Sequence, residues 1–345
     1  MPLYVPGYYT KNKTNTAQHF NLSIQRQLDK STILTVAYVA TQGHHIEHGE
    51  DVIYGDSALC LSLPGCGPGG EPGVYTQGGN TYYGTLVGAI DNQTISPGYQ
   101  NSAGGPVVAF AQATYLQNSG NSNYNSLQVS AERRARDITY LLSYTYAKSL
   151  DDIAAKWDPR DPNRAYGQSS WDMRHNFVAS YSWSLPFDRF LGANRATQGW
   201  HLTGISRFNT GFPVSLKSSG DVALTNIGLD YPTQVAPIQR LNPRSASHAF
   251  FNTSAFANNL SCGYEDCGVT GSAKQYLFHG PGTINTDAGV GKDTKITERT
   301  SLNFRIEFFN VFNHANFLSN SVIAVSYTHL NAVALSLPSQ GFGNE

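Results

Sequence analysis

The chain has 345 residues, of which 24 are acidic and 23 basic, so its formal net charge is −1. Only 14% of the residues are charged, whereas a typical soluble domain carries about 25%. The sequence has no run of about 20 apolar residues, which excludes a helical membrane protein. Its aromatic content of 12% disfavours disorder, and its neutral charge offers no basis for nucleic-acid binding. The composition therefore favours a β protein that is poor in charge and rich in Gly and aromatic residues.

The four cysteines form two pairs that are close in sequence, Cys60 with Cys66 and Cys262 with Cys267. Four cysteines allow three pairings, and proximity within Gly- and Pro-containing segments favours two small loops closed by disulfides. Disulfides imply an oxidising compartment, yet the amino end shows no signal peptide. We therefore expect the chain to be a fragment that lacks its natural start.

Alternation of apolar and polar residues predicts eight β-strands, and helical periodicity is hard to find. The predicted strands cover residues 18–28, 32–41, 124–133, 138–146, 177–185, 200–211, 283–291 and 301–308. The eighth is the clearest, since Leu302, Phe304, Ile306 and Phe308 alternate with Ser301, Asn303, Arg305 and Glu307.

The connections between these strands differ greatly in length. Strands one and two, three and four, and seven and eight are joined by turns of a few residues, and the link from five to six is somewhat longer. The links after strands two, four and six have about 80, 25 and 70 residues, which is long by ordinary standards. Alternating short and long links are typical of outer-membrane barrels, with short periplasmic turns and long extracellular loops. The sequence thus predicts an all-β fold, an antiparallel up-and-down meander that forms part of a large transmembrane β-barrel.

One histidine cluster suggests metal chemistry. His44, His45 and His48, together with Glu47, match the H-x-x-E-H spelling of a class of zinc proteases. That chemistry needs a helix to bring the histidines onto one face, but the cluster follows the end of a predicted strand. We interpret it as the polar start of a loop, and a metalloenzyme that uses these histidines stays open as an alternative.

Two further patterns are weak. Residues 65–70 spell G-x-G-x-x-G, but Pro68 interrupts them and no helix follows, as a dinucleotide site would require. The aspartates at 151, 152, 158 and 161 could suit Ca²⁺, but they are interspersed with basic residues and lack EF-hand spacing. We predict that the protein is not an enzyme and that it has no cofactor and no metal site.

Several stretches occur in the order typical of one family. They are NSGNSNYNSLQV at 118–129, LSYTYAKSLDD at 142–152, WDMRHNF at 171–177 and FRIEFFNVFNHANF at 304–317. Together they resemble the carboxy-terminal part of Oar-like TonB-dependent outer-membrane receptors, over residues 18–317.

This resemblance implies a 22-stranded barrel closed around an amino-terminal plug, in the bacterial outer membrane. A short motif of such a receptor engages the TonB energy-coupling protein, and the proton gradient then drives uptake. The chain supplies about eight strands and neither plug nor coupling motif, so we expect it to be inactive in transport alone. The expected partners are outer-membrane lipid, an unknown extracellular substrate and, only through parts outside this chain, the TonB system.

The resemblance also implies how the chain divides. Residues 1–318 are predicted to form the partial barrel, and residues 319–345 an atypical tail without clear alternation. Receptors of this family normally end on an amphipathic strand with a final aromatic residue, so we expect the tail to be foreign to the barrel. A divergent native tail remains the alternative.

Aromatic residues in the predicted strands are candidates for contact with lipid. The predicted lipid-facing or girdle residues are Tyr144, Tyr146, Tyr181, Trp183 and Trp200. Ordinary packing within a β-sheet is the alternative for all five. Ligand selectivity would lie in the loops at 43–123 and 212–282. The alternative function is a secreted soluble β-sandwich that binds glycans through exposed aromatics.

Overall fold

A computed structural model describes most of the chain, and it is almost entirely β-structure. The described residues are 3–51, 74–77, 80–83, 95–100, 106–108, 110–153, 161–218, 223, 231–242, 250–257, 268–274, 276–316 and 322–324. Their strands are β1 (Leu3–Tyr8), β2 (Thr16–Asp29), β3 (Thr32–Asp51), β4 (Val74–Gln77), β5 (Asn80–Tyr83), β6 (Ile95–Gln100), β7 (Pro106–Val108), β8 (Phe110–Arg134), β9 (Ile138–Asp151), β10 (Gly167–Gln168), β11 (His175–Ser184), β12 (Trp200–Asn209), β13 (Pro213–Ser218), β14 (Thr233–Gln234), β15 (Phe256–Ala257), β16 (Tyr276–His279), β17 (Thr283–Lys295), β18 (Ser301–Phe308) and β19 (Val322–Ala324).

The helices in the described ranges are short. One α-helix, α1 (Phe187–Leu191), lies between β11 and β12, and 3₁₀ turns cover Pro162–Ala165 and Thr253–Ala255. No helix in this part of the chain has the length and apolar character needed to cross a bilayer.

One large sheet dominates the structure and contains all eight predicted strands. Its order is β18-β17-β12-β11-β9-β8-β3-β2, and every neighbouring pair along this path is antiparallel. Each strand therefore pairs with the one before and after it in the predicted series, as an up-and-down meander requires. The short β1 adds to β8 in parallel, and β10 adds to β9. The predicted all-β meander is confirmed.

All the long links leave from the same end of this sheet, which we call the long-loop end. There β3, β9 and β12 finish, and β8, β11 and β17 begin. The opposite, short-turn end carries the tight links at 30–31 and 135–137 and the link that contains α1.

Two strands, β3 and β8, extend furthest beyond the predicted alternation toward the long-loop end, and β9 also continues past the predicted residue 146 to Asp151. The predicted ends were residue 41 and residue 124, but β3 continues to Asp51 and β8 begins at Phe110. Their pairing runs from Thr32–Arg133 to Asp51–Thr114, with register shifts on both sides of Ile46 that leave His45 without a partner in the register. Backbone hydrogen bonds form between polar segments as well as between apolar ones, so the alternation of apolar and polar residues does not indicate this extension.

The main buried core lies beside the main sheet, in the segment predicted as the loop 212–282. That segment contains β13 to β16, and β19 pairs in parallel with β13. Four buried side chains form its centre: Val214, Leu216, Phe251 and Phe278. The rings of Phe251 and Phe278 lie 4.8 Å apart between centroids. The long link is therefore folded upon itself, which its length allowed but did not predict.

Candidate functional site

The register of the main sheet separates apolar from polar side chains. Directly paired residues point to the same side of a sheet, so a row of partners across the strands shares one face. One such row, from β2 to β17, is Ile24, Val36, Val129, Tyr144, Phe177, Phe208 and Ile284. We call the side that carries this row the apolar face. Seven strands thus align their apolar residues in one continuous surface.

The opposite side, which we call the polar face, carries most of the charge of the sheet. The row next to the one above consists of Gln25, Thr35, Ser130, Ser143, Val178, Arg207 and Asn285. Toward the short-turn end the same face holds two ion pairs, Arg134 with Glu132 and Arg305 with Glu307.

All five predicted girdle aromatics lie on the apolar face. Tyr146 pairs with His175 near the long-loop end, and Trp183 lies toward the short-turn end of β11. These two positions on β11 are eight residues apart, about 27 Å along a strand. At a tilt of about 40° they span about 21 Å of membrane thickness, close to the apolar band of about 25 Å in outer-membrane barrels. Whether these residues contact lipid stays a prediction.

A buried carboxylate connects two long links at the long-loop end. The side chain of Asp172 is 0% exposed and accepts hydrogen bonds from the Ser149 backbone N–H at 2.6 Å, from Arg174 at 3.0 Å and from His279 Nε2 at 2.9 Å. Burial alone would raise the pKa of Asp172, but these donors and the Arg174 charge outweigh burial and hold the pKa below its ordinary value. Because Asp172 precedes β11 and His279 ends β16, the carboxylate ties the folded segment 212–282 to the sheet.

Arg164 makes a second connection between the same segments. Its guanidinium donates to the carbonyls of Gly271 and Ala273, the latter at 3.0 Å, and lies 5.4 Å from the centre of the Tyr231 ring. Sequence reasoning missed both connections. The only signal was the WDMRHNF stretch, which marked the region without indicating the role of its aspartate.

The histidine cluster lies in β3 and not in a helix or loop. His44 Nδ1 contacts Asn121 Oδ1 at 3.1 Å and His48 Nε2 contacts Ser119 Oγ at 2.6 Å, while His45 adopts a positive φ of 57° at the register shift. Within the described residues no group of three His, Cys, Asp or Glu side chains is placed to hold a metal ion. The prediction of a polar loop start is therefore wrong about the backbone, and the geometry does not supply the helix that this zinc motif needs.

Several predictions fall outside the described residues. They concern Cys60, Cys66, Cys262, Cys267, the glycine-rich stretch 65–70, Asp158 and most of the tail from residue 325. The disulfides and the division at residue 318 remain predictions.

Comparison with solved structures gives distant likenesses to outer-membrane proteins. The transporter YddB from Escherichia coli is 9% identical with a TM-score of 0.43, and the comparison covers 91% of this chain and 31% of YddB. The ferripyoverdine receptor of Pseudomonas aeruginosa, bound to ferripyoverdine, is 12% identical with a TM-score of 0.37 over 89% of this chain and 25% of the receptor. The FrpB iron transporter from Neisseria meningitidis is 9% identical with a TM-score of 0.39 over 90% and 29%. The chain thus spans less than a third of each of these proteins.

Comparison with curated protein sequences gives no match. A protein-family profile described as "Outer membrane beta barrel domain" matches residues 2–335, nearly the whole chain. This match agrees with the meander, the two-faced sheet and the long links at one end. The chain belongs to the outer membrane β-barrel domain family, and its place is the bacterial outer membrane.

Proposed function

We propose that this chain forms part of the wall and of the extracellular mouth of a TonB-dependent receptor for energised substrate uptake. The eight strands would contribute to the barrel, and the plug and the contact with TonB would come from other parts of the receptor. The chain alone is inactive in transport, because a sheet with two open edges neither encloses a pore nor couples to an energy source.

The alignment of apolar residues on one face carries this proposal. In a barrel that face meets lipid, and the opposite polar face lines the lumen. The exposure of apolar-face residues in central strands supports lipid contact, since Leu127 on β8 and Tyr146 on β9 are 43% and 44% exposed. A soluble β-sandwich that binds glycans would bury this face against a second sheet, so the exposures argue against that alternative.

The polar face also suits a lumen that holds a plug. Leu141 and Ile205 lie on it among charged and hydroxyl side chains, and each is 45% exposed. A plug seated in the lumen would cover these isolated apolar residues. The extracellular mouth would be built from the folded segment 212–282, which Asp172 and Arg164 hold against the sheet, and its substrate is unknown.

A pair of neighbouring substitutions tests the lipid contact. Val129→Arg places a charge on the apolar face in a central strand, whereas Gln128→Arg places the same charge on the polar face. A charge on the lipid side costs about 2–4 kcal/mol at the bilayer midplane, so we expect Val129→Arg to reduce recovery of the complete receptor in the outer membrane. Gln128→Arg should leave recovery near that of the unsubstituted protein. Equal recovery of the two variants, or recovery of the native protein in the soluble periplasm, would contradict the proposal.

Energised uptake requires its own test. Cells that produce the complete receptor should accumulate its substrate only while TonB and the proton gradient are intact. Uptake that continues at the same rate after loss of TonB would contradict the receptor role and leave a passive barrel.

A further inference from the structure

The link between β11 and β12 carries exposed apolar residues on one side of α1. Phe187, Phe190 and Leu191 are spaced i, i+3 and i+4, which places them on one side of a helix. Phe190 and Leu191 are 80% and 70% exposed, among the most exposed large apolar side chains of the described residues.

Contacts of α1 show to which face of the sheet this apolar side belongs. The Phe187 ring packs edge-on against the Trp200 ring, with centroids 6.3 Å apart, and Trp200 lies on the apolar face. Asp188 and Arg189, in contrast, line a recess with Ser182, His201 and Asp293, which lie on the polar face, and Trp200 forms one border of this recess. The helix therefore continues the two-sided pattern of the sheet beyond the strand ends.

The link is held in place at its base by one lysine. Lys292, the partner of Trp200 across the sheet, donates from Nζ to the carbonyls of Arg195, Ala196 and Gln198 at 3.0, 2.8 and 3.2 Å. Its ammonium also lies 4.7 Å from the centre of the Trp200 ring. Trp200 Nε1 donates to the Ala196 carbonyl at 2.8 Å, so the link has a defined position against the apolar face.

The geometry points to α1 as an interfacial anchor: Phe190 and Leu191 insert into the periplasmic leaflet beside the barrel wall. This inference rests on the proposed membrane position of the sheet, because the apolar side of α1 is continuous with the proposed lipid-facing surface. The occupant is the lipid surface. Phe190 and Leu191 continue the apolar face beyond the strand ends, so the lipid surface at the membrane interface is what would cover them.

Spin labels at three positions of the complete protein in outer-membrane vesicles test the anchor. The labels are attached to Phe190→Cys, to Leu142→Cys on the apolar face and to Ser182→Cys on the polar face, and unsubstituted protein labelled in parallel corrects for the native cysteines. Two collision rates are then measured for each label: the rate with oxygen, which concentrates in lipid, and the rate with a nickel chelate, which stays in water.

The anchor predicts that the label at 190 behaves like the label at 142, with oxygen collisions dominant and the chelate excluded several-fold relative to position 182. Chelate access at 190 with lipid exposure at 142 would overturn the anchor and leave the membrane barrel intact. Chelate access at both 190 and 142 would overturn the membrane position of the sheet itself.

Phe190→Ser combined with Leu191→Ser, which keeps the helix but removes its apolar side, should expose a label at position 187 to the chelate.

Discussion

Replacing Asp172 by Asn tests whether the buried carboxylate holds the long-loop segment to the sheet. Asparagine has nearly the same shape, but it removes the charge that Arg174 pairs with and turns one acceptor oxygen into a donor. The carboxylate faces donors from Ser149, Arg174 and His279, so an amide group would leave at least one buried donor without an acceptor. Hydrogen bonds to charged groups contribute about 1.5–3 kcal/mol each, and breaking a buried pair costs about 3–5 kcal/mol.

We therefore expect local opening of this segment to become easier by about 3 kcal/mol, which is roughly a hundredfold faster exchange of the Ser149 amide hydrogen. The measurement is hydrogen exchange on the complete receptor in membranes. The control is Asp137→Asn at the turn between β8 and β9, where the described contact uses the backbone carbonyl and is retained. Unchanged exchange at Ser149 in the Asp172→Asn variant would refute the role of the carboxylate.

The pH dependence of the same contact has a defined sign. The pKa of Asp172 is lowered in the folded state, so its stabilisation is fully present above the ordinary carboxyl pKa of about 3.9 and is lost as pH falls through the folded value. Protection of the Ser149 amide, corrected for intrinsic exchange, should hold from pH 7 to about pH 4 and decline below it. The Asp172→Asn variant should not show this decline, and an identical decline in both proteins would assign the effect to other groups.

Two further substitutions test contacts at the apolar face. Lys292→Met removes three hydrogen bonds to the β11–β12 link, which should destabilise the link by about 1–3 kcal/mol and increase protease cleavage there. The control, Lys295→Met, should have little effect. Equal cleavage of the two variants would contradict the role of Lys292. Gly204→Ala would place a Cβ 2.5 Å from the hydroxyl oxygen of Tyr181, its cross-strand partner. We therefore expect a cost of about 1–2 kcal/mol in heat-induced unfolding, and a smaller cost in a Tyr181→Ala background, which lacks the ring. An equal cost in the two backgrounds would show that the ring does not cover the glycine.

The strands were predictable because their signal is local. Side chains two residues apart share a face, so the alternation of Leu302, Phe304 and Ile306 is visible without knowledge of any partner strand. The pairing of strands joined by short turns followed from those turns, and the pairing across the long links followed from the alternation of short and long links that is typical of outer-membrane barrels. The candidate aromatics followed from the same alternation, and their common face agrees with the register.

The site at the long-loop end was not predictable in the same way. Asp172 and His279 are 107 residues apart in sequence, and neither lies in a pattern that indicates its partner. The extension of β3 to Asp51 likewise depends on backbone hydrogen bonds to β8, which polar and apolar residues make equally well.

The sequence by itself determined that this protein has two-faced strands joined by alternately short and long links, because both features depend only on near neighbours in the chain. Tertiary structure decided which rows of side chains line up across the sheet, that the segment 212–282 has a core of its own, and that a buried carboxylate joins it to the sheet. These features arise when distant segments fold together and exclude water from polar groups. The alternation of apolar and polar residues within a single strand does not indicate which distant segments will meet.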